Sequence, residues 1–239
     1  MKTKPDQLTF SEHLEELRGR LIKVLVTLAV CCFIVAFYVD KILTFFIRPI
    51  GTLIFTSPAE AFLAHMTLIF VGGFTLSVPI TLYQGWQFMV CGLTTKEKRY
   101  AFFFVPLSTT FFLLGLLFGY FVILPIALKF LLGFSNSMIR PMITIGNYVS
   151  FVCAIVLVFG LVFQFPLGIL FLTKLGLVRP SFLIEKRRYA IVLIFIISAL
   201  LTPPDCITQL LMAGPLILLY ELSIFLSKVF YRSNLTRED

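Results

Sequence analysis

The chain has 239 residues, 59% of them apolar and only 13% charged, with a formal net charge of +8. Soluble domains carry about 45–50% apolar and about 25% charged residues, so this composition excludes a disordered chain and a water-soluble globule. The apolar residues collect in six long runs, which reads as an all-α, polytopic membrane protein, one integral domain over residues 1–239.

At the N-terminus, Thr9-x-x-Glu12 marks the cap of a helix that places Phe10, Leu14, Leu17 and Leu21 on one side. The first span follows at Leu21–Val39. No small-residue cleavage site follows it, so it is expected to be retained. Ser57-Pro58-Ala59-Glu60 joins a capping box to a proline at the first helical position and predicts a short helix leading into the second span, Met66–Cys91. Thr94-x-x-Glu97 caps the third span, Ala101–Leu128, and Asn147 is the candidate cap of the fourth, Val149–Thr173. The fifth, Tyr189–Thr202, is about 21 Å long at 1.5 Å per residue, against a hydrocarbon core of about 30 Å. Its helix either extends into its flanks or the bilayer thins around it. Thr202-Pro203-Pro204-Asp205 is a hard turn, and the sixth span, Cys206–Leu226, closes a hairpin of short fifth and sixth helices.

Of the 20 Lys and Arg residues, sixteen fall in connecting segments that share one side and four on the other. The positive-inside rule therefore puts both termini in the cytoplasm. The basic excess serves topology and attraction to anionic lipid, and calls for no nucleic acid.

The inventory for chemistry is thin. Five cysteines lie in or beside apolar runs without C-x-x-C spacing, as packing residues do. His13 and His65 fall in different compartments. Metal-ligand spacings, a nucleophile elbow and a phosphate loop are all missing. No catalytic group, metal or cofactor is expected, and no enzyme. Gln164 lies mid-span beside Pro166, which frees an upstream carbonyl; its amide either satisfies that local defect or contacts a partner helix. On the cytoplasmic side, Glu16 is spaced to pair with Arg20, while Glu12 and Glu97 sit at cap positions. Taken together, carboxylates from two cytoplasmic segments form a candidate clamp for guanidinium groups, which they accept bidentately.

His13-Leu14-Glu15-Glu16-Leu17-Arg18-x-Arg20 resembles the opening motif of the TatC family, the multispan receptors of the twin-arginine protein translocase. Ser57-Pro58-x-Glu60-x-Phe62, Gly92-Leu93 with Glu97-Lys98-Arg99, Phe159-Gly160-x-x-Phe163-Gln164-x-Pro166 and Leu201-Thr202-Pro203-Pro204-Asp205 resemble later motifs of that family, in its order.

The resemblance implies a binding protein. It would recognise the twin-arginine signal peptide of folded precursors at the cytoplasmic face, then assemble with TatA-type and TatB-type single-span subunits, driven by the proton-motive force. It implies signal-peptide binding by Glu16 and Glu97 with Arg18 and Phe88. It implies partner contact or assembly roles for Gln164, Pro49, Tyr120 and Asp205, and a homo-oligomer within the receptor complex. Many members carry Glu where this chain has Gln164, and an amide cannot relay protons. The implied location is the bacterial inner membrane, and a thylakoid or other organelle membrane fits the same sequence. A rival class, an ion-coupled secondary transporter of a small solute, would suit the interior prolines, but no inverted repeat or mid-span charge accompanies them.

Overall fold

In hydrocarbon no water pairs with a backbone N–H or C=O, so an apolar run closes its own hydrogen bonds as a helix. The computed structural model describes residues 10–90, 95–133, 142–174, 176–201 and 206–235. Over these residues the chain is helical, with one isolated bridge between Ile54 and Thr144 and no strand. The elements are α1 (Phe10–Ala36), α2 (Val39–Ile47), α3 (Pro58–Val90), α4 (Thr95–Phe118), a π-helical turn (Gly119–Ile123), α5 (Leu124–Leu132), α6 (Ile145–Val162), α7 (Phe165–Lys174), α8 (Pro180–Glu185), α9 (Arg187–Leu201) and α10 (Cys206–Leu235).

Five stretches among the described residues are long and apolar enough to cross a membrane: Leu14–Ala36, Pro58–Phe88, Phe104–Leu132, Ile145–Lys174 and Cys206–Val229. The fifth expected span is α9, at 15 residues about 22 Å long. It does not extend into its flank, because the chain turns at Lys186 between α8 and α9. The sixth is not short: α10 runs for 30 residues, since neither glycine nor proline follows Leu226 within it to stop it. The short helix expected at Ser57 is also absent as a separate element. Pro58 opens α3, which continues unbroken for 33 residues. The caps expected at Thr9 and Thr94 and the turn at 202–205 lie outside the described residues.

Prolines act according to their surroundings. Pro79, Pro106 and Pro215 lie inside continuous helices. Pro125 follows the π-helical turn, where the Leu124 N–H bonds the Gly119 carbonyl; widening there accommodates a ring that would otherwise meet the preceding turn. Pro166 accompanies a true break, with Phe163 and Gln164 between α6 and α7.

The chain divides into two compact units, residues 1–40 with 69–109 and residues 41–68 with 110–239. In the first, α1 meets α3 at two glycines. A Cβ on Gly73 would lie 2.8 Å from the Cys32 backbone and one on Gly72 2.9 Å from Val35. Cys31 is buried, as a packing residue should be. Trp86 of α3 donates to Ser108 of α4 at 3.1 Å and packs on Phe104, which fixes the ends of the two helices that flank residues 91–94.

The second unit has its core in Ile123, Leu124, Ala127, Tyr148, Val152, Ile155, Phe159, Met212 and Leu216. Gly115 of α4 and Gly119 of the π-helical turn, one turn apart, let these segments lie against α6. A Cβ on Gly115 would overlap the Phe159 carbonyl oxygen, and one on Gly160 would meet Phe112 at 2.8 Å. Small residues at this spacing substitute close backbone contact for the hydrophobic drive that lipid does not supply. α9 and α10 are tied by Arg187 to Glu221 at 2.9 Å and by Gln209 to the Phe195 carbonyl at 3.1 Å.

Candidate functional site

In the first unit, Glu16 and Arg20 stand one turn apart on α1, so their side chains share a face. Arg20 Nε donates to Glu16 Oε1 at 3.0 Å, and Arg20 Nη2 donates to the same oxygen. The other edge of the guanidinium turns to α3, where Nη1 donates to Gln87 Oε1 at 2.7 Å and to Gln84 Oε1 at 3.3 Å. Gln87 Nε2 in turn donates to the Tyr83 hydroxyl at 3.0 Å. The pair is largely withdrawn from water, with 15% of the Arg20 side chain and 25% of the Glu16 side chain exposed.

Arg18 is exposed on α1, and Phe88 is half-buried on α3, next to Gln87. Glu97 is the third residue of α4; its side chain lies outside the described residues. Chemically, Glu16 lies in a guanidinium site that already contains one guanidinium. Sequence reasoning found Glu16 and Arg20 and missed Gln84 and Gln87, whose signal was two amides three residues apart near the end of an apolar helix.

In the second unit, the tyrosines cap α2. Tyr120 stacks on Phe45 and Phe46, with ring centroids 4.9 and 5.5 Å away, and donates to the Phe45 carbonyl at 3.1 Å. Tyr148 donates to the Phe46 carbonyl at 2.6 Å. Both carbonyls belong to the last turn of α2, which has no helical N–H ahead of it. Pro49 is exposed in the turn that follows, ahead of Gly51 at φ +91°. Tyr120 thus meets the last turn of α2, which Pro49 follows in the chain, and Tyr148, which the sequence does not single out, meets the same turn.

Glu60 organises the start of α3. Its N–H bonds Ser57 Oγ at 3.3 Å, as half of a capping box. The carboxylate does not complete that box. Oε2 accepts from the Thr56 N–H at 2.9 Å and the Thr56 hydroxyl at 2.7 Å, and Oε1 accepts from the Gly146 N–H at 3.0 Å. Gly146 lies in the first turn of α6, so Glu60 also satisfies an orphan donor there, where the helix dipole favours a carboxylate. Asn147 is therefore not the cap of α6: Thr144 occupies the N-cap position in extended conformation, and Glu60 supplies the acceptor.

Gln164 is half-buried at the break between α6 and α7. Its backbone is satisfied locally: the N–H donates to Leu161 O at 3.0 Å and the carbonyl accepts from Gly168 at 2.9 Å. Its neighbours Val162 and Phe165 line an apolar cleft of about 110 Å³ with Leu193, Ile197, Leu216 and Tyr220. Asp205 lies outside the described residues. His65 Nδ1 lies 2.8 Å from the Ala61 carbonyl, and no metal-binding cluster of His, Cys, Asp or Glu occurs among the described residues.

Comparison with known proteins places this geometry. Residues 12–215 match the family model described as Sec-independent protein translocase protein (TatC). The chain is 39% identical over 233 residues to the TatC protein of Carboxydothermus hydrogenoformans, covering 95% of each chain. It is 39% identical over 236 residues to that of Aquifex aeolicus, covering 94% of this chain and 97% of the other. Its structure is similar to the crystal structure of the twin arginine translocase receptor TatC, with a TM-score of 0.85 and 38% identity over 91% of this chain and 99% of that one. A family match over most of the chain, reached independently by fold, establishes that this chain belongs to the TatC family of Sec-independent protein translocase proteins.

Proposed function

We propose that the chain is the receptor subunit of a twin-arginine translocase. It binds the paired-arginine signal peptide of folded precursors at its cytoplasmic face and nucleates assembly with TatA-type and TatB-type single-span subunits, with the proton-motive force driving transport. The observation that carries this reading is Glu16: a largely buried carboxylate whose partner is a guanidinium bonded through two nitrogens. A site with that chemistry accepts arginine in preference to lysine, because the planar guanidinium brings two fixed N–H donors to the carboxylate at once and still has a third nitrogen for neighbouring acceptors, whereas an ammonium is a point charge without that fixed geometry.

Glu97, in the first turn of α4, is the second acceptor, one for each signal arginine. Arg18 and Phe88 border the site. The sixteen-to-four distribution of bases puts both termini and this face in the cytoplasm, of a bacterial inner membrane. Gln164, at a helix break beside an apolar cleft, contacts a partner helix. Pro49, Tyr120 and Asp205 serve assembly, in a receptor complex with more than one copy of the chain. The chain performs no catalysis and needs no cofactor. An ion-coupled transporter is not favoured by the family or by the fold.

The test is crosslinking to a signal peptide. Glu16→Ala and Glu97→Ala each remove crosslinking to a twin-arginine peptide while membrane insertion persists. Unchanged crosslinking in both single variants and in the double variant would falsify the assignment.

A further inference from the structure

In a site meant to receive a foreign arginine, the acceptor is already occupied by an arginine of the chain itself. The Nε and Nη2 edge of Arg20 lies on Glu16, and Nη1 lies on Gln87 and Gln84. We propose that Arg20 is an internal surrogate for a signal arginine: it holds Glu16 in the unliganded receptor, and the incoming guanidinium displaces it there while Gln84 and Gln87 retain it. This rests on Glu16 being the signal acceptor.

Three features of the geometry carry the inference. Arg20 meets Glu16 through its Nε and Nη2 edge, both nitrogens donating to Oε1, and this is the edge a ligand arginine presents to a carboxylate. The opposite edge is bound to two neutral amide oxygens on a different helix, so leaving Glu16 does not strip Arg20 of its partners. Both groups of the ion pair are mostly buried, and an unpaired buried carboxylate is costly, so an occupant in the resting state keeps the site folded.

Two consequences follow. Binding exchanges one ion pair for another, which makes its dependence on ionic strength shallow. It also requires the ligand to outcompete a guanidinium, which an ammonium does poorly; Arg20 thereby sharpens the choice of arginine over lysine by penalising the wrong ligand. Arg20 is a positioning and specificity residue in this scheme, and Gln84 and Gln87 are its resting place.

The experiment measures binding of labelled twin-arginine and twin-lysine signal peptides to the purified full-length chain in detergent, for wild type, Arg20→Gln, Arg20→Lys and Glu16→Gln, across ionic strength. Arg20→Gln is expected to bind the twin-arginine peptide about threefold to tenfold more tightly, the range set by a partly buried ion pair. It gains more for the twin-lysine peptide, so discrimination shrinks, and its salt dependence steepens. Arg20→Lys falls between, and carries the test if Arg20→Gln does not fold. Unchanged or weaker twin-arginine binding by a folded Arg20→Gln, or Arg20→Lys indistinguishable from wild type where only that variant folds, overturns the surrogate. Glu16→Gln separates the two levels. If it binds like wild type, the receptor assignment at Glu16 fails. If it loses binding while Arg20→Gln also weakens, only the surrogate fails.

Discussion

Glu16 in the first unit and Glu60 in the second are both carboxylates with several donors, and they are satisfied by opposite means. Glu60 accepts from the backbone of Thr56 and Gly146 and from a threonine hydroxyl. Those donors are fixed by helix ends and cannot leave without unfolding them. Glu16 is held by the tip of a long arginine side chain that also bonds Gln84 and Gln87. On the proposed reading, the difference separates a structural acid from an exchangeable one. Charge and burial alone would not; the kind of donor does.

The largest expected effect breaks or confirms this contrast directly. Glu16→Gln weakens twin-arginine peptide binding about tenfold or more, from loss of a charge-assisted contact, and because Arg20 keeps Gln84 and Gln87 this loss exceeds the effect on melting temperature. Glu60→Gln does the reverse, lowering the melting temperature by a few degrees and leaving peptide affinity intact. Parallel losses in both variants would erase the distinction.

Smaller effects test the neighbourhood of Glu60. Tyr148→Phe removes the 2.6 Å bond to the Phe46 carbonyl and costs about 1 kcal/mol in thermal unfolding. Tyr120→Phe, whose hydroxyl bond at 3.1 Å is longer and exposed, costs less. Neither moves peptide binding. Equal losses from the two would show that burial does not grade these caps.

Much of this was legible in the sequence because lipid enforces helices wherever a long apolar run occurs. Six runs, the opening of α3 at Pro58 and the shortness of α9 follow from that rule. The end of α10 did not, since the apolar count stops at Leu226 while the backbone has no reason to. The Glu16–Arg20 pair was readable from i,i+4 spacing. Its tie to Gln84 and Gln87 was not, because which face of α3 meets α1 depends on the approach at Gly72 and Gly73, and residues more than sixty apart leave no local trace. Asn147 is a false cap for a similar reason: it is the nearest polar side chain, whereas the acceptor comes from Glu60, far away in the chain. Gly115-x-x-x-Gly119 is a close-packing signal present in the sequence itself, and both glycines approach α6.

In the proposed receptor, Glu16 and Glu97 receive the arginines of the signal. The most direct measurement is photocrosslinking from a reactive residue placed beside the arginine pair of a signal peptide, to membranes carrying wild type or the Glu16→Ala, Glu97→Ala double variant, with a twin-lysine peptide as control. The account predicts strong crosslinking of the twin-arginine peptide to wild type, little from the twin-lysine peptide, and loss of both in the double variant. Equal crosslinking of the twin-arginine peptide to wild type and to a correctly inserted double variant would contradict it.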